Sequence, residues 1–327
     1  MHSLAVFFHI MKNRLLNIAR IIISLLLLLF LFKRMDLRYI IPLMKGVDIP
    51  LLVLSFFSYI LLLVFSTMRW WWLLAAQGVR LPFMRVFGYY LIGMFFNNFL
   101  PPTVGGGAVR ALYAGKDTGK NKESFASMTC ELVLGFIGLF IFVTILLLFY
   151  LGRSEGRILF LIFLCGSIVI TLLFSLFLST YIVKKLERPI KRIRLLGIGE
   201  KIFNFYNAIT IYRDRKMAIF VSILLSFGVQ ATIGMENFLI GRALGLELGL
   251  LPCMVFPSII AVITILPSIG GLGIREVSYV YFFNLMGIPK EASFSLSLFF
   301  YLVGVIGSLP GVVLFSLMKR VKNKDIP

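Results

Sequence analysis

Apolar residues run through this chain in long blocks, with the charged residues gathered between them. A membrane-spanning helix needs about 20 predominantly apolar residues. Six blocks meet that length, at 14–32, 50–76, 124–151, 157–183, 217–240 and 291–318. Two more apolar segments are interrupted. One runs over 83–113 and is broken by Pro101-Pro102 and Gly105-Gly106-Gly107; the other runs over 250–287 and is broken by Pro267 and Gly270-Gly271. Pro and paired Gly end helices. Non-helical backbone at membrane depth survives only inside protein or along a wet cavity. The pattern therefore predicts an all-α polytopic membrane protein with six full spans and two re-entrant or broken elements. It reads as one integral membrane domain over 1–327: two N-terminal spans in 1–82, a first repeat in 83–183, a basic amphipathic loop in 184–216 and a second repeat in 217–327.

Composition agrees. The 327 residues are 60% hydrophobic and 14% charged, against about 45–50% and about 25% in soluble domains. Soluble enzymes, disulfide scaffolds and disordered regulators are excluded. The net charge of +19 would suggest nucleic acid in a soluble protein; here Lys and Arg mark cytoplasmic loops, and no nucleic-acid partner is inferred. The two histidines, His2 and His9, lie near the N-terminus, which argues against a His-based metal centre or an intramembrane Ser–His protease. Cys130, Cys165 and Cys253 sit in apolar stretches without CxxC spacing and read as small buried hydrophobes. No GxxxxGK[ST] motif occurs. No catalytic residue, metal or cofactor is expected.

Charge sets the threading. The 184–216 stretch carries ten Lys and Arg residues, among them Lys184, Arg188 and Lys216, and belongs in the cytoplasm. Lys12 and Arg14 at one end and Lys319, Arg320, Lys322 and Lys324 at the other place both termini there as well. Lys33-Arg34-Met35-Asp36 follows the first block where a cleavage site would need small residues, so that block reads as an uncleaved anchor. Counting crossings, segment 83–113 leaves from and returns to the cytoplasmic side, and segment 250–287 starts and finishes outside. Lys33, Arg34, Arg38 and Lys45 then fall in an outer loop, against the general trend. Arg69-Trp70-Trp71-Trp72 at the end of the second block reads as an interfacial belt.

The two breaks resemble each other. Pro102-Thr-Val-Gly-Gly-Gly-Ala-Val-Arg110 aligns without gaps to Pro267-Ser-Ile-Gly-Gly-Leu-Gly-Ile-Arg275, and each is followed by Lys-Glu opening a long block (Lys122-Glu123, Lys290-Glu291). Paired interruptions on opposite sides are the mark of an inverted-repeat transporter with a binding site near the midplane. An isolated anion in a low-dielectric region is very costly. Glycines let backbone N–H groups approach a ligand, a helix start aims its positive end at an anion, and guanidinium binds phosphate bidentately. Arg110 and Arg275, with Gly105, Gly106, Gly107, Gly270, Gly271 and Gly273, are thus the candidate phosphate-binding set. The alternative is that both arginines pair with carboxylates or snorkel to an interface. Glu131, Glu236 and Glu276 are candidate counter-ions or proton or Na⁺ coupling groups. Asn97, Asn98, Thr103 and Ser268 are candidate cavity-lining residues; for Asn97, Asn98, Gln230 and Asn237, holding helices together is the competing role.

Arg69-Trp70 with Gly78 beyond, Asn98-x-Leu100-Pro101 leading to Gly105-Gly106-x-x-x-Arg110, and Pro267-x-x-Gly270-Gly271-Leu272-Gly273-Ile274-Arg275-Glu276 resemble the flippase-like membrane region of lysylphosphatidylglycerol synthases. The resemblance covers nearly the whole chain. It implies translocation of a lipid, since this region moves an aminoacylated phospholipid across the cytoplasmic membrane in the family's best-known members. Other members resemble accessory proteins of polyprenyl-linked glycan or hopanoid pathways. This chain has Gly107 where the family often has an acidic residue, and Leu132 after Glu131 where Arg is frequent. The chain ends at Pro327 shortly after its last block, so no soluble synthase domain and no lipid synthesis are expected. The sequence-based expectation is a lipid translocase for an anionic phospholipid, an aminoacylated phospholipid or a polyprenyl-phosphate-linked lipid in the cytoplasmic (inner) membrane of a bacterium or archaeon. The alternative is a non-transporting subunit for a lipid- or glycan-modifying enzyme. A separate synthase partner and a homodimer are open questions of assembly.

Overall fold

The computed structural model describes Pro42 and residues 45–98, 105–151, 154–177, 209–265 and 271–324. The first predicted span, residues 184–208 of the basic stretch, Thr103, Ser268 and Gly270 lie outside the described residues. Among the described residues the chain is almost wholly helical, with no strand. The helices are α1 (Ile49–Ala76), α2 (Phe83–Asn97), α3 (Gly105–Thr118), α4 (Asn121–Leu147), α5 (Ser154–Phe177), α6 (Lys216–Ala243), α7 (Leu250–Ile263), α8 (Ile274–Asn284), α9 (Lys290–Ser308) and α10 (Pro310–Lys324).

Length separates two kinds of helix. Residues 49–76, 121–147, 157–176, 216–243 and 290–318 are long and apolar enough to cross a membrane. By contrast α2, α3, α7 and α8 have 15, 14, 14 and 11 residues. At about 1.5 Å per residue none reaches about 30 Å alone. They pack in pairs, α2 on α3 and α7 on α8. The order long–short–short–long therefore occurs twice, as α1–α4 and as α6–α9, with matching contacts between successive helices. The last predicted span is divided: α9 ends at Ser308 and α10 starts at Pro310, whose ring cannot donate to the preceding turn.

Local chemistry explains the ends and the contacts. Asp48 caps α1 by accepting from the Leu51 amide at 3.1 Å. Gly271 and Gly273, with φ of 80° and 84°, make the turn into α8, a backbone region costly for residues with a Cβ. The most extensive helix pair is α1 with α6. Its faces are small: Ser55, Ser58 and Ser66 on one side and Ser222, Ser226 and Thr232 on the other are buried. Ser58 donates to the Thr232 carbonyl at 3.0 Å. In lipid, close approach of small residues and such hydrogen bonds hold helices together, since apolar surface alone gains nothing there. The outward faces are greasy. On α5, Ile158, Leu161, Ile162, Leu172 and Leu173 are each more than half exposed, which suits acyl chains and not water. The chain is an all-α polytopic membrane protein.

The end of the basic stretch docks on α1: Tyr212, fully buried in a short 3₁₀ turn (Ile211–Asp214), donates to the Leu73 carbonyl at 2.8 Å. Cys130 and Cys253 are buried as expected, whereas Cys165 is exposed on the outer face of α5.

Candidate functional site

The first hairpin builds a charged cluster. Arg110, the sixth residue of α3, is 9% exposed and its Nη2 is hydrogen-bonded to Glu131 Oε2 on α4. Glu131 is 1% exposed and also takes Arg69 Nη2 at 3.0 Å and the Tyr90 hydroxyl at 3.4 Å. Arg69 Nη1 donates in addition to Ser226 Oγ at 2.9 Å. The Arg110 guanidinium lies over Trp70 and Tyr90, at 4.5 and 4.2 Å from the ring centres. Trp70 is fully buried and held by its Nε1 bond to Ser127, 3.1 Å. Gly135, one turn beyond Glu131, leaves the space Arg69 occupies; a Cβ there would lie 3.1 Å from Arg69 Nη1.

Arg69 and Trp70 thus correct the reading of an interfacial belt. Both turn inward, and only Trp72 of the three tryptophans is exposed. Sequence reasoning missed Arg69 as a site residue. The signal was present: α-helical geometry puts Arg69 on the same face as Ser66 and Leu73, three and four residues away, which is the small and buried face of α1.

Two arginines face one carboxylate, so the cluster carries a formal charge of +1. Two donors remain unused, Arg69 Nε and Arg110 Nη1, both buried without a partner among the described residues. Arg69 and Arg110 border a cavity of about 140 Å³ lined by Gly93, Asn97, Gly106, Gly107, Met128 and Leu132 around the charged groups. The glycines make room for it and for the hairpin: a Cβ on Gly93 would lie 2.7 Å from the Gly106 carbonyl. Gly107 and Leu132, the two positions where this chain departs from the pattern of the resembled family, both line this cavity.

The second hairpin builds a different arrangement. Arg275, at the second position of α8, is 8% exposed and pairs with Glu276 through Nε (3.1 Å) and Nη2. It also reaches Ser297 Oγ at 3.3 Å and lies over the Tyr301 ring at 4.5 Å. A cavity of about 250 Å³ is bounded by Arg275, Tyr301, Tyr59, Asn98 and Glu236. Glu236 is fully buried, and neither of its oxygens has a hydrogen-bond partner among the described residues. Asn97 and Met94 line this cavity and the first one alike.

These placements change the expected phosphate site in two respects. Arg110 and Arg275 do not line one shared pocket; they border adjoining cavities divided by Met94 and Asn97. Nor are all the glycine amides free. The Gly106 N–H donates to Asn97 Oδ1 at 2.9 Å, and the Gly273 N–H donates to Glu276 Oε2 at 2.6 Å. Both backbones lie so close to a polar side chain that the chain satisfies its own donors. Asn98 lines the second cavity and donates to Ser308 at 3.0 Å. Gln230 and Asn237 hold helices together: Ser258 donates to Gln230 Oε1 at 2.9 Å and the Tyr279 hydroxyl to Asn237 Oδ1 at 2.7 Å. Among the described residues no group of three His, Cys, Asp or Glu side chains could hold a metal ion.

Residues 17–311 match the family described as the lysylphosphatidylglycerol synthase TM region. A UPF0104 membrane protein of Pyrococcus horikoshii is 25% identical over 304 residues, covering 85% of this chain and 90% of the relative. A second UPF0104 membrane protein, from Methanocaldococcus jannaschii, is 26% identical over 325 residues, covering 93% and 95%. No solved structure matches the chain.

Proposed function

Because the chain belongs to the lysylphosphatidylglycerol synthase TM-region family, we propose that it moves an anionic lipid across the cytoplasmic membrane, holding the lipid phosphate at Arg69 and Arg110. One observation carries this reading: a buried cluster of two guanidiniums on one carboxylate, with two donors left unpartnered among the described residues, beside a glycine-lined cavity. Burying an unpaired charge is costly and is seldom retained without a use. The surplus charge of the cluster equals that of one phosphodiester in size and is opposite in sign.

The cavity, at about 140 Å³, is below the range of about 300–1,000 Å³ that holds drug-sized molecules. It suits the phosphate of a lipid whose tails remain in the bilayer and whose headgroup extends beyond. A guanidinium 4 Å from a phosphate gains about 4 kcal/mol at an effective dielectric near 20. Two of them offset much of the cost of drawing the anion below the surface. Glu131 keeps both arginines aimed while the site is empty, and the Trp70 and Tyr90 rings hold Arg110 in place. An anionic phospholipid, an aminoacylated phospholipid and a polyprenyl phosphate share this chemistry. The family match extends to the membrane region and favours a phospholipid.

The test is the purified chain in vesicles containing a fluorescent-headgroup phosphatidylglycerol. The protein is expected to accelerate its passage between leaflets, and Arg69→Ala and Arg110→Ala are each expected to remove most of that acceleration. Passage no faster than in empty vesicles, or equal in wild type and both variants, overturns the reading and favours the non-transporting subunit.

A further inference from the structure

We propose that Glu236 is a proton-binding site that takes up one proton when an anion enters the neighbouring Arg69–Arg110 cavity. The proton site stands on the geometry of the second cavity; its link to anion entry rests on the transport reading above.

The three buried glutamates are not equivalent. Glu131 is bonded to two arginines, and Glu276 to Arg275 and the Gly273 amide. Glu236 has no partner among the described residues, although it is fully buried and borders a cavity of about 250 Å³. The groups facing that cavity are few. From α1 comes Tyr59, whose buried hydroxyl also lacks a partner. From α2 come Asn97 and Asn98, from α8 Arg275, and from α9 Tyr301. Among the described residues α4 and α7 contribute nothing to its wall. Among the described residues the one cation lining it, Arg275, is already matched by Glu276. An ionised Glu236 would therefore be the uncompensated charge of this cavity.

A carboxylate taken out of water without a partner costs several kcal/mol, and a proton removes that cost. The reaction is simple: the carboxylate accepts H⁺ to give the neutral acid, and no other bond changes. Which form prevails depends on charges nearby. The empty Arg69–Arg110–Glu131 cluster is formally +1 and stands on the other side of Asn97. Its positive field favours the Glu236 anion. A phosphate in the first cavity cancels that field and favours the acid. By linkage, protonation of Glu236 strengthens anion binding by the same factor. Anion and proton then travel together, which is a symport.

Two measurements on the full chain decide this. Dioctanoyl phosphatidylglycerol is titrated into the detergent-solubilised protein in buffers of different ionisation enthalpy. Wild type is expected to take up about one proton per lipid bound, and Glu236→Gln is expected to show loss of that uptake. Binding without proton uptake in wild type, or the same uptake in both, overturns the coupling. Separately, dicyclohexylcarbodiimide, which modifies protonated carboxyls in apolar surroundings, is applied to wild type and the product mapped by mass spectrometry. Labelling at Glu236 that quickens as the buffer is acidified, and is unaffected by sodium, is the expected result. Labelling confined to other carboxyls, or protection by sodium, overturns the proton assignment, the latter in favour of a sodium site. If the lipid does not bind at all, the transport reading fails while the carbodiimide labelling still decides Glu236.

Discussion

At the scale of single residues, Glu131 is the position on which most depends. It neutralises one of two arginines that burial would otherwise leave facing each other. Removing one partner of a buried ion pair costs about 3–5 kcal/mol. Glu131→Gln is expected to destabilise the protein by about that amount, read as a lower midpoint of unfolding in detergent. Arg69→Lys is not conservative here. One ammonium on a flexible stem does not reproduce the planar fork that bonds Ser226 and Glu131 together. Arg110 and Glu131 could be named as charged residues out of place in an apolar chain. Arg69 could be separated from its three neighbouring tryptophans only by helical phase with Ser66 and Leu73, because an Arg–Trp run at the end of a helix has the same composition whether it faces lipid headgroups or a buried carboxylate.

The elements that carry the site are two hairpins of short helices, and their close packing is set by glycine. The Gly106 backbone lies against Gly93 and Asn97; a Cβ on Gly106 would be 2.5 Å from Asn97 Oδ1. Gly106→Val is therefore expected to force α2 and α3 apart, at about 1–3 kcal/mol for overpacking, together with loss of lipid movement. Limited proteolysis between the two helices, faster in the variant, checks it. The hairpins were legible as paired Pro and Gly interruptions, since those residues break helices wherever they fall. What the interruptions did not disclose is that Asn97 and Glu276 take up the Gly106 and Gly273 amides. A side chain that satisfies a backbone donor looks, in a sequence, no different from one that lines a cavity.

For the whole molecule, the repeated order α1–α4 and α6–α9 puts one hairpin in each half, and charge parity in the loops predicts that they lie on opposite sides. That threading has a direct check. In a chain with Cys130, Cys165 and Cys253 replaced by Ala, single cysteines at Asp117 and Asn284, both exposed near the hairpin ends, are expected to react with an impermeant maleimide from opposite faces of intact cells. Reaction from the same face rules out an inverted arrangement. The two halves have also diverged in charge. The first pairs two arginines with one glutamate, and the second pairs one arginine with one glutamate beside an unmatched Glu236.

Composition and periodicity alone determined the solvent, the helical class, the positions of the long spans among the described residues and the two Pro/Gly interruptions between them, though not the division of the last span at Pro310. These follow from hydration of the backbone and of apolar surface, which depend on local sequence and bilayer thickness. The partnership of the charges was decided only in three dimensions. Arg69, Glu131 and Ser226 come from three helices far apart in the chain, and whether a buried charge is paired or left alone depends on which helix faces it. The same holds for Met94 and Asn97, which divide what the repeat suggested was a single pocket into two cavities of different charge.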